Sequence, residues 1–190
     1  MDLKVRKAVW FYASFIVLGS SLVFFLGFVY RNYSIGRLAG SPNPTPRGKD
    51  GPLVGSTIDI LAGQDITGTA VSVDLSHREK GTLLLVLSPH CPFCRINFQN
   101  WREILTTVPK DEVVWVDVTD TADQMYLVTV GISSDAKLIK LTSSTAAARQ
   151  LLVTPTTVLL DQHGKVRLSA TGVLHGDDVA QFKKLAAVRR

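Results

Sequence analysis

The chain has 190 residues, a formal net charge of +5 and a sequence pI of about 9.4, enough length for one ordinary domain and an appendage. The excess charge is confined to residues 1–50, where Lys4, Arg6, Lys7, Arg31, Arg37, Arg47 and Lys49 face Asp2 and Asp50, while residues 51–190 carry fourteen charges of each sign. A basic pI of this origin gives no support for nucleic-acid binding.

From Ala8 to Tyr30 the sequence has no charged residue, and it is long enough to cross a hydrocarbon core of about 30 Å as a helix. Trp10, Tyr12 and Tyr30 lie towards its ends, where amphipathic rings prefer the interface. The alternative is a cleaved signal peptide. The apolar stretch exceeds the usual h-region of about 7–15 residues, and the nearest small-residue site, Leu38-Ala39-Gly40, is a poor one. Residues 1–35 are therefore predicted to be a tail and a single transmembrane anchor. Basic residues on its two sides nearly tie, so the charge count alone does not orient it. Residues 36–52 contain Gly36, Gly40, Pro42, Pro44, Pro46, Gly48, Gly51 and Pro52. That composition predicts a semi-rigid linker holding a domain, residues 53–190, off the bilayer.

Within the domain, Thr57–Leu61 and Thr69–Val73 are predicted strands around a turn at 63–68. Leu83–Leu87 is a continuous apolar run of strand length, as in a central strand covered on both faces. A helix follows, with Pro92 in its first turn and Ile96, Phe98, Trp101, Ile104 and Leu105 at helical spacing. Val113–Val118 is a second buried strand. Asp120 or Thr121 is predicted to cap a helix ending at Gly131. Lys137–Leu141 is a short strand and Ser144–Leu152 an alanine-rich helix. Thr156–Leu160 and Val166–Ala170 form a hairpin across Asp161–Gly164, and Asp177 or Asp178 caps a last helix to about Val188. Alternating strands and helices predict an α/β domain with a mixed sheet flanked by helices.

The two cysteines of the chain, Cys91 and Cys94, enclose Pro92-Phe93 where the strand Leu83–Leu87 passes into the helix. A helix N-terminus turns free N–H groups and the positive end of the macrodipole on a sulfur there, which favours the thiolate. Cys91 is thus the expected attacking thiol, and Cys94, one turn further in, the thiol that resolves the mixed disulfide. The expected redox group is this pair itself, with no cofactor and no metal. A structural zinc site needs about four ligands, and His90, His77, His163 and His175 are the available histidines. A bridge across two residues closes almost no loop, so it would add little stability.

The strand–Cys-x-x-Cys–helix unit, followed about 60 residues later by Thr154-Pro155-Thr156 at a strand start and then the Asp161–Gly164 turn, resembles the thioredoxin superfamily. With the anchor, the linker and the N-terminal hairpin, the chain is most similar to the membrane-tethered TlpA/ResA-like branch, over roughly residues 53–188. The segment Leu87–Cys94 also resembles MauD-like accessory proteins, which help mature disulfide-rich periplasmic enzymes. The resemblance implies that Pro155 is cis and faces the cysteines. It also implies that Thr154, Pro155, Pro92 and Phe93 contact an extended substrate segment. It places the anchor in the bacterial cytoplasmic membrane with the domain in the periplasm or outside. The implied partners are proteins with cysteines or disulfides and a membrane redox partner.

Several positions depart from that pattern. Leu85 stands where many thioredoxins carry a buried acid, and Pro92-Phe93 supplies no glutamate, so the proton acceptor for Cys94 is unnamed. His90 replaces the usual tryptophan; it is a candidate modulator of the thiolate, with a plain surface histidine as the alternative. Pro92 and Phe93 carry no charge and leave the redox direction open, and the family weighting favours a reductase or maturation factor. Trp101 and Trp115 are expected in the core, and Arg95 on a solvated helix face. The competing reading is a tethered copper-delivery module, which typically uses two cysteines with three residues between them, where this chain has two, and a distant histidine. A peroxidase would usually place a Pro-x-x-x-Thr-x-x-Cys loop that Ser88-Pro89-His90-Cys91 does not provide.

Overall fold

A computed structural model of the chain describes residues 51–133, 135–141 and 149–188. The predicted anchor, the linker up to residue 50 and most of the predicted helix Ser144–Leu152 lie outside the described residues. Among the described residues no helix is long and apolar enough to cross a membrane.

Seven strands form one mixed sheet: β1 Ile60–Gln64, β2 Ala70–Asp74, β3 Leu83–Leu87, β4 Val113–Asp117, β5 Leu138–Leu141, β6 Thr156–Leu160 and β7 Val166–Thr171, in the order β2-β1-β5-β4-β3-β6-β7. The centre, β3, pairs in parallel with β4 and antiparallel with β6. All five residues of β3 are buried because they serve two cores in alternation. Leu83, Leu85 and Leu87 pack with the helices α1 Pro92–Leu105, α2 Gln124–Thr129 and α3 Gly176–Ala187. Leu84 and Val86 pack on the other face with Ile58, Leu61, Leu75, Val114, Ile139, Leu151 and Val158. A strand buried on both sides has no polar alternation to show.

Several boundaries move for identifiable reasons. β1 starts at Ile60 rather than Thr57, which forms an isolated bridge to Lys165. It runs on through Gly63, which pairs with Val71 on β2 and Leu141 on β5. A Cβ at that position would sit 2.1 Å from the Lys140 carbonyl oxygen, so only glycine allows this close approach. The turn then forms at Asp65, whose Oδ1 accepts the N–H groups of Thr67 and Thr69 at 2.8 and 3.0 Å.

In α1 the buried stripe is Cys94, Asn97, Phe98, Trp101 and Ile104, and Ile96 is 59% exposed on the opposite face. The cap of α2 is Asp123, whose Oδ1 accepts the Tyr126 N–H at 2.7 Å, and not Asp120 or Thr121. The reason is Asp117, whose buried carboxylate takes the N–H groups of Thr119, Thr121 and Ala122 at 2.7–2.9 Å and shapes the preceding turn. At α3 the N-cap is His175, and Asp178 Oδ2 accepts its N–H from the third helical position at 3.0 Å. Trp101 and Trp115 are buried with Phe98 in an aromatic cluster, the two indoles edge-to-face at 5.8 Å.

Candidate active site

Cys91 is the N-cap of α1, with extended backbone, and Pro92 fills the first helical position, where its missing N–H costs nothing. The Cys91 sulfur accepts the Cys94 N–H at 3.4 Å, and its thiol donates to the main-chain oxygen of Thr154 at 3.5 Å. The first turn of α1 carries no acid to oppose a thiolate. The peptide bond from Thr154 to Pro155 is cis. The structure thus brings Cys91, Cys94, Thr154 and Pro155 together, from two chain segments about 60 residues apart.

The two thiols, both free in this structure, differ in environment. Cys91 is half-buried and Cys94 wholly buried. Burial pushes the Cys91 thiol up, but hydrogen bonding with the Thr154 and Cys94 side chains and with the Cys94 and Phe93 N–H groups outweighs it. The net shift is downward from 9.0. Burial pushes the Cys94 thiol up to about 12, and the Cys91 thiol beside it adds to the rise. Chemically, the pair offers one sulfur that ionises early at the surface and one that keeps its proton until a neighbour draws it off.

Around them, Phe93 is 51% exposed, Pro92 is exposed, and Thr154 is half-buried above the buried ring of Pro155. Val153, 36% exposed, extends the apolar edge beside Thr154. His90 is exposed; its main-chain N–H donates to Ser88 Oγ at 3.3 Å, and its imidazole is in solvent. Arg95 is exposed on α1.

Sequence reasoning missed a polar layer beneath the cysteines. The Thr119 hydroxyl donates to Asp117 at 2.8 Å, and Ser88 Oγ lies 3.4 Å from the same Thr119 oxygen. The buried acid of this region is thus Asp117, at the end of β4 and opposite Leu87, rather than a residue at position 85. Tyr126 on α2 packs on Phe98 at 6.4 Å, and burial, with Cys94 and Asp117 as neighbours, pushes its phenol up to about 12. Asn97 was legible in principle, being a polar residue at i+3 from Cys94 on the face that also carries Phe98 and Trp101.

No protein-family model and no curated protein matches the chain. Solved structures do. The thioredoxin domain of a thiol-disulfide oxidoreductase from Bacteroides vulgatus superposes with a TM-score of 0.54 at 16% identity, covering 71% of this chain and 99% of that one. A thiol:disulfide interchange protein of the thioredoxin family from Chlorobium tepidum gives 0.54 at 18%, covering 72% and 99%. The peroxidoxin BcpB from Mycobacterium tuberculosis gives 0.53 at 17%, covering 71% and 96%. Identities this low establish a shared fold, and the last neighbour shows that the fold hosts more than one chemistry. The domain therefore has the thioredoxin-like fold: a mixed sheet flanked by helices, with Cys91 at the helix α1 N-terminus beside Pro155.

Proposed function

We propose that the chain is a membrane-tethered, extracytoplasmic thiol-disulfide oxidoreductase acting on protein cysteines through Cys91 and Cys94. The observation that carries the reading is the pairing of a half-buried, acid-shifted Cys91 against the Thr154 carbonyl with a wholly buried Cys94 one turn away. The uncharged stretch 8–30 supports an anchor, and residues 36–52 a linker. Resemblance to the tethered TlpA/ResA-like branch favours a reductase or maturation factor, with a membrane dithiol as the source of electrons.

In the reducing direction the Cys91 thiolate attacks one sulfur of a substrate disulfide. That S–S bond breaks, a Cys91–substrate disulfide forms, and the departing substrate thiolate takes a proton. Cys94 then gives up its proton and attacks the Cys91 sulfur, which closes the 91–94 disulfide and releases the second substrate thiolate. Two electrons and the one proton of Cys94 have passed from the cysteine pair to the substrate, the second substrate thiolate takes its proton from water, and a partner dithiol reverses the exchange to restore the pair. Thr154 offers its main chain to an extended substrate segment, while Pro92, Phe93 and Pro155 supply apolar contact.

Copper delivery would need a third donor at the thiols. Among the described residues no three His, Cys, Asp or Glu side chains gather, and His163 Nε2 pairs with the Gln162 amide in the β6–β7 turn. Nothing in the site favours that reading.

The test is capture. Cys91→Ser should abolish exchange, and Cys94→Ser should accumulate covalent adducts with client proteins, released by dithiothreitol. A reduced wild-type protein that exchanges with neither glutathione nor a protein disulfide, together with an empty Cys94→Ser trap, defeats the proposal.

A further inference from the structure

The sequence Gly172-Val173-Leu174, between β7 and α3, is held at both ends by groups belonging to the two halves of the site. At one end the Gly172 N–H donates to the Pro155 carbonyl at 2.7 Å, with Gly172 at φ 95, a conformation that favours glycine. At the other, Leu174 is gripped by side chains of α1. Its N–H donates to Asn97 Oδ1 at 2.9 Å, and its carbonyl accepts from Asn100 Nδ2 at 3.0 Å. Asn100 Nδ2 also donates to Asn97 Oδ1 at 3.1 Å, so the two amides act as one unit.

Asn97 is 0% exposed and its Nδ2 has no hydrogen-bond partner among the described residues. An asparagine in the middle of a helix has a poor propensity, and an unpartnered buried amide donor adds to its cost. Leucine would fill similar space without either penalty. What leucine cannot do is accept the Leu174 N–H. The strap it holds is one tie between the helix carrying both cysteines and the loop carrying Pro155, in addition to the Trp101–Thr157 bond at 2.8 Å and the Cys91 contact with Thr154.

We propose that Asn97, seconded by Asn100, is a positioning residue that sets the distance between the Cys91 sulfur and the Thr154 main chain. It does so by clamping the 172–174 strap, which in turn holds Pro155. The inference rests on Cys91 being the exchanging thiol. Without the clamp, α1 and the Pro155 loop lose this tie and keep the Trp101–Thr157 bond, so the spacing at the Gly172–Leu174 end relaxes. Cys91 then loses the Thr154 side-chain hydrogen bonding that favours its thiolate, and the substrate's docking edge drifts from the sulfur it must present.

The experiment measures the rate of iodoacetamide alkylation of Cys91 against pH in the full-length reduced chain, for wild type, Asn97→Leu and Asn100→Leu. The titratable and charged groups around Cys91 are the adjacent His90 imidazole, the Cys94 thiol on α1 and the Tyr126 phenol on α2, with Arg95 beside Tyr126. None of them is altered. For Asn97→Leu the half-point should move to higher pH, and the rate below the wild-type half-point should fall about three- to tenfold. Asn100→Leu, at a half-buried position, should move it the same way by less and keeps the test open if Asn97→Leu does not fold. Variants that melt earlier but keep the wild-type half-point overturn the clamp, because a purely structural role lowers stability without touching the thiolate. A wild-type Cys91 that alkylates like an ordinary free cysteine overturns the exchange reading instead, and the clamp with it.

Discussion

Trp101 donates its indole N–H to the hydroxyl of Thr157 at 2.8 Å, with both side chains 0% exposed. The bond joins the middle of α1 to β6 two residues beyond Pro155, so the helix bearing the cysteines is fastened to the strand behind the proline loop. Trp101→Phe removes the donor and leaves a ring-sized gap. It should destabilise the reduced domain by about 2–3 kcal/mol in urea unfolding. A double cycle with Thr157→Val should recover a coupling of about 1 kcal/mol. Additive losses would mean that the bond contributes nothing beyond packing.

Asp117 is wholly buried, and its two oxygens accept the N–H groups of Thr119, Thr121 and Ala122 and the Thr119 hydroxyl. Asp117→Ala strands those donors, at a cost of about 3 kcal/mol. Amide exchange should accelerate first at residues 119–122. Uniform acceleration across the sheet would place the role of Asp117 elsewhere.

The opposite shifts of the two thiols have opposite consequences with pH. Cys91 ionises below 9.0 in the folded chain, so its contribution to stability is present above 9.0 and is lost as pH falls through its folded value. Cys94 holds its proton to about 12. Above 9.0 the unfolded chain ionises there and the folded chain does not. The contribution of Cys94 is therefore complete below 9.0 and is lost as pH rises towards about 12, with an upper slope of about 1.4 kcal/mol per pH unit. Reduced Cys94→Ala should show a flatter alkaline limb in denaturant titrations than reduced wild type. In the same range, alkylation of the native protein should label Cys91 well before Cys94.

Phe93 exposes half its surface two residues from Cys91 and takes no part in either core. Phe93→Ser should leave stability within about 0.5 kcal/mol. It should raise KM for a protein disulfide about three- to tenfold, while exchange with glutathione, too small to need the contact, stays near wild type. Equal losses with both substrates would place Phe93 in the chemistry rather than in recognition.

What the sequence determined alone is what short-range chemistry dictates. Leu83–Leu87 is legible as a doubly covered strand because all five residues are apolar. Cys91 at the head of α1 is legible because a cap and a proline at the first helical position are local features. The Asp161–Gly164 turn is legible for the same reason. Local patterns misled where a distant partner overrode them. Ile96 fits helical spacing yet faces solvent, and Asp120 and Thr121 look like caps but stand in a turn whose N–H groups Asp117 has taken.

Only the tertiary structure decided which atoms meet across the site. Thr154 reaches Cys91 over 63 residues of chain, Asn97 reaches Leu174 over 77, and Trp101 reaches Thr157 over 56. A side-chain hydrogen bond between elements has no period and no spacing rule; it depends on how two packed surfaces bring a donor to an acceptor. The split between an early-ionising and a late-ionising thiol has the same origin. Two identical residues three positions apart differ because the fold buries one and leaves the other half-buried among the Thr154 side chain and the N–H groups of Phe93 and Cys94.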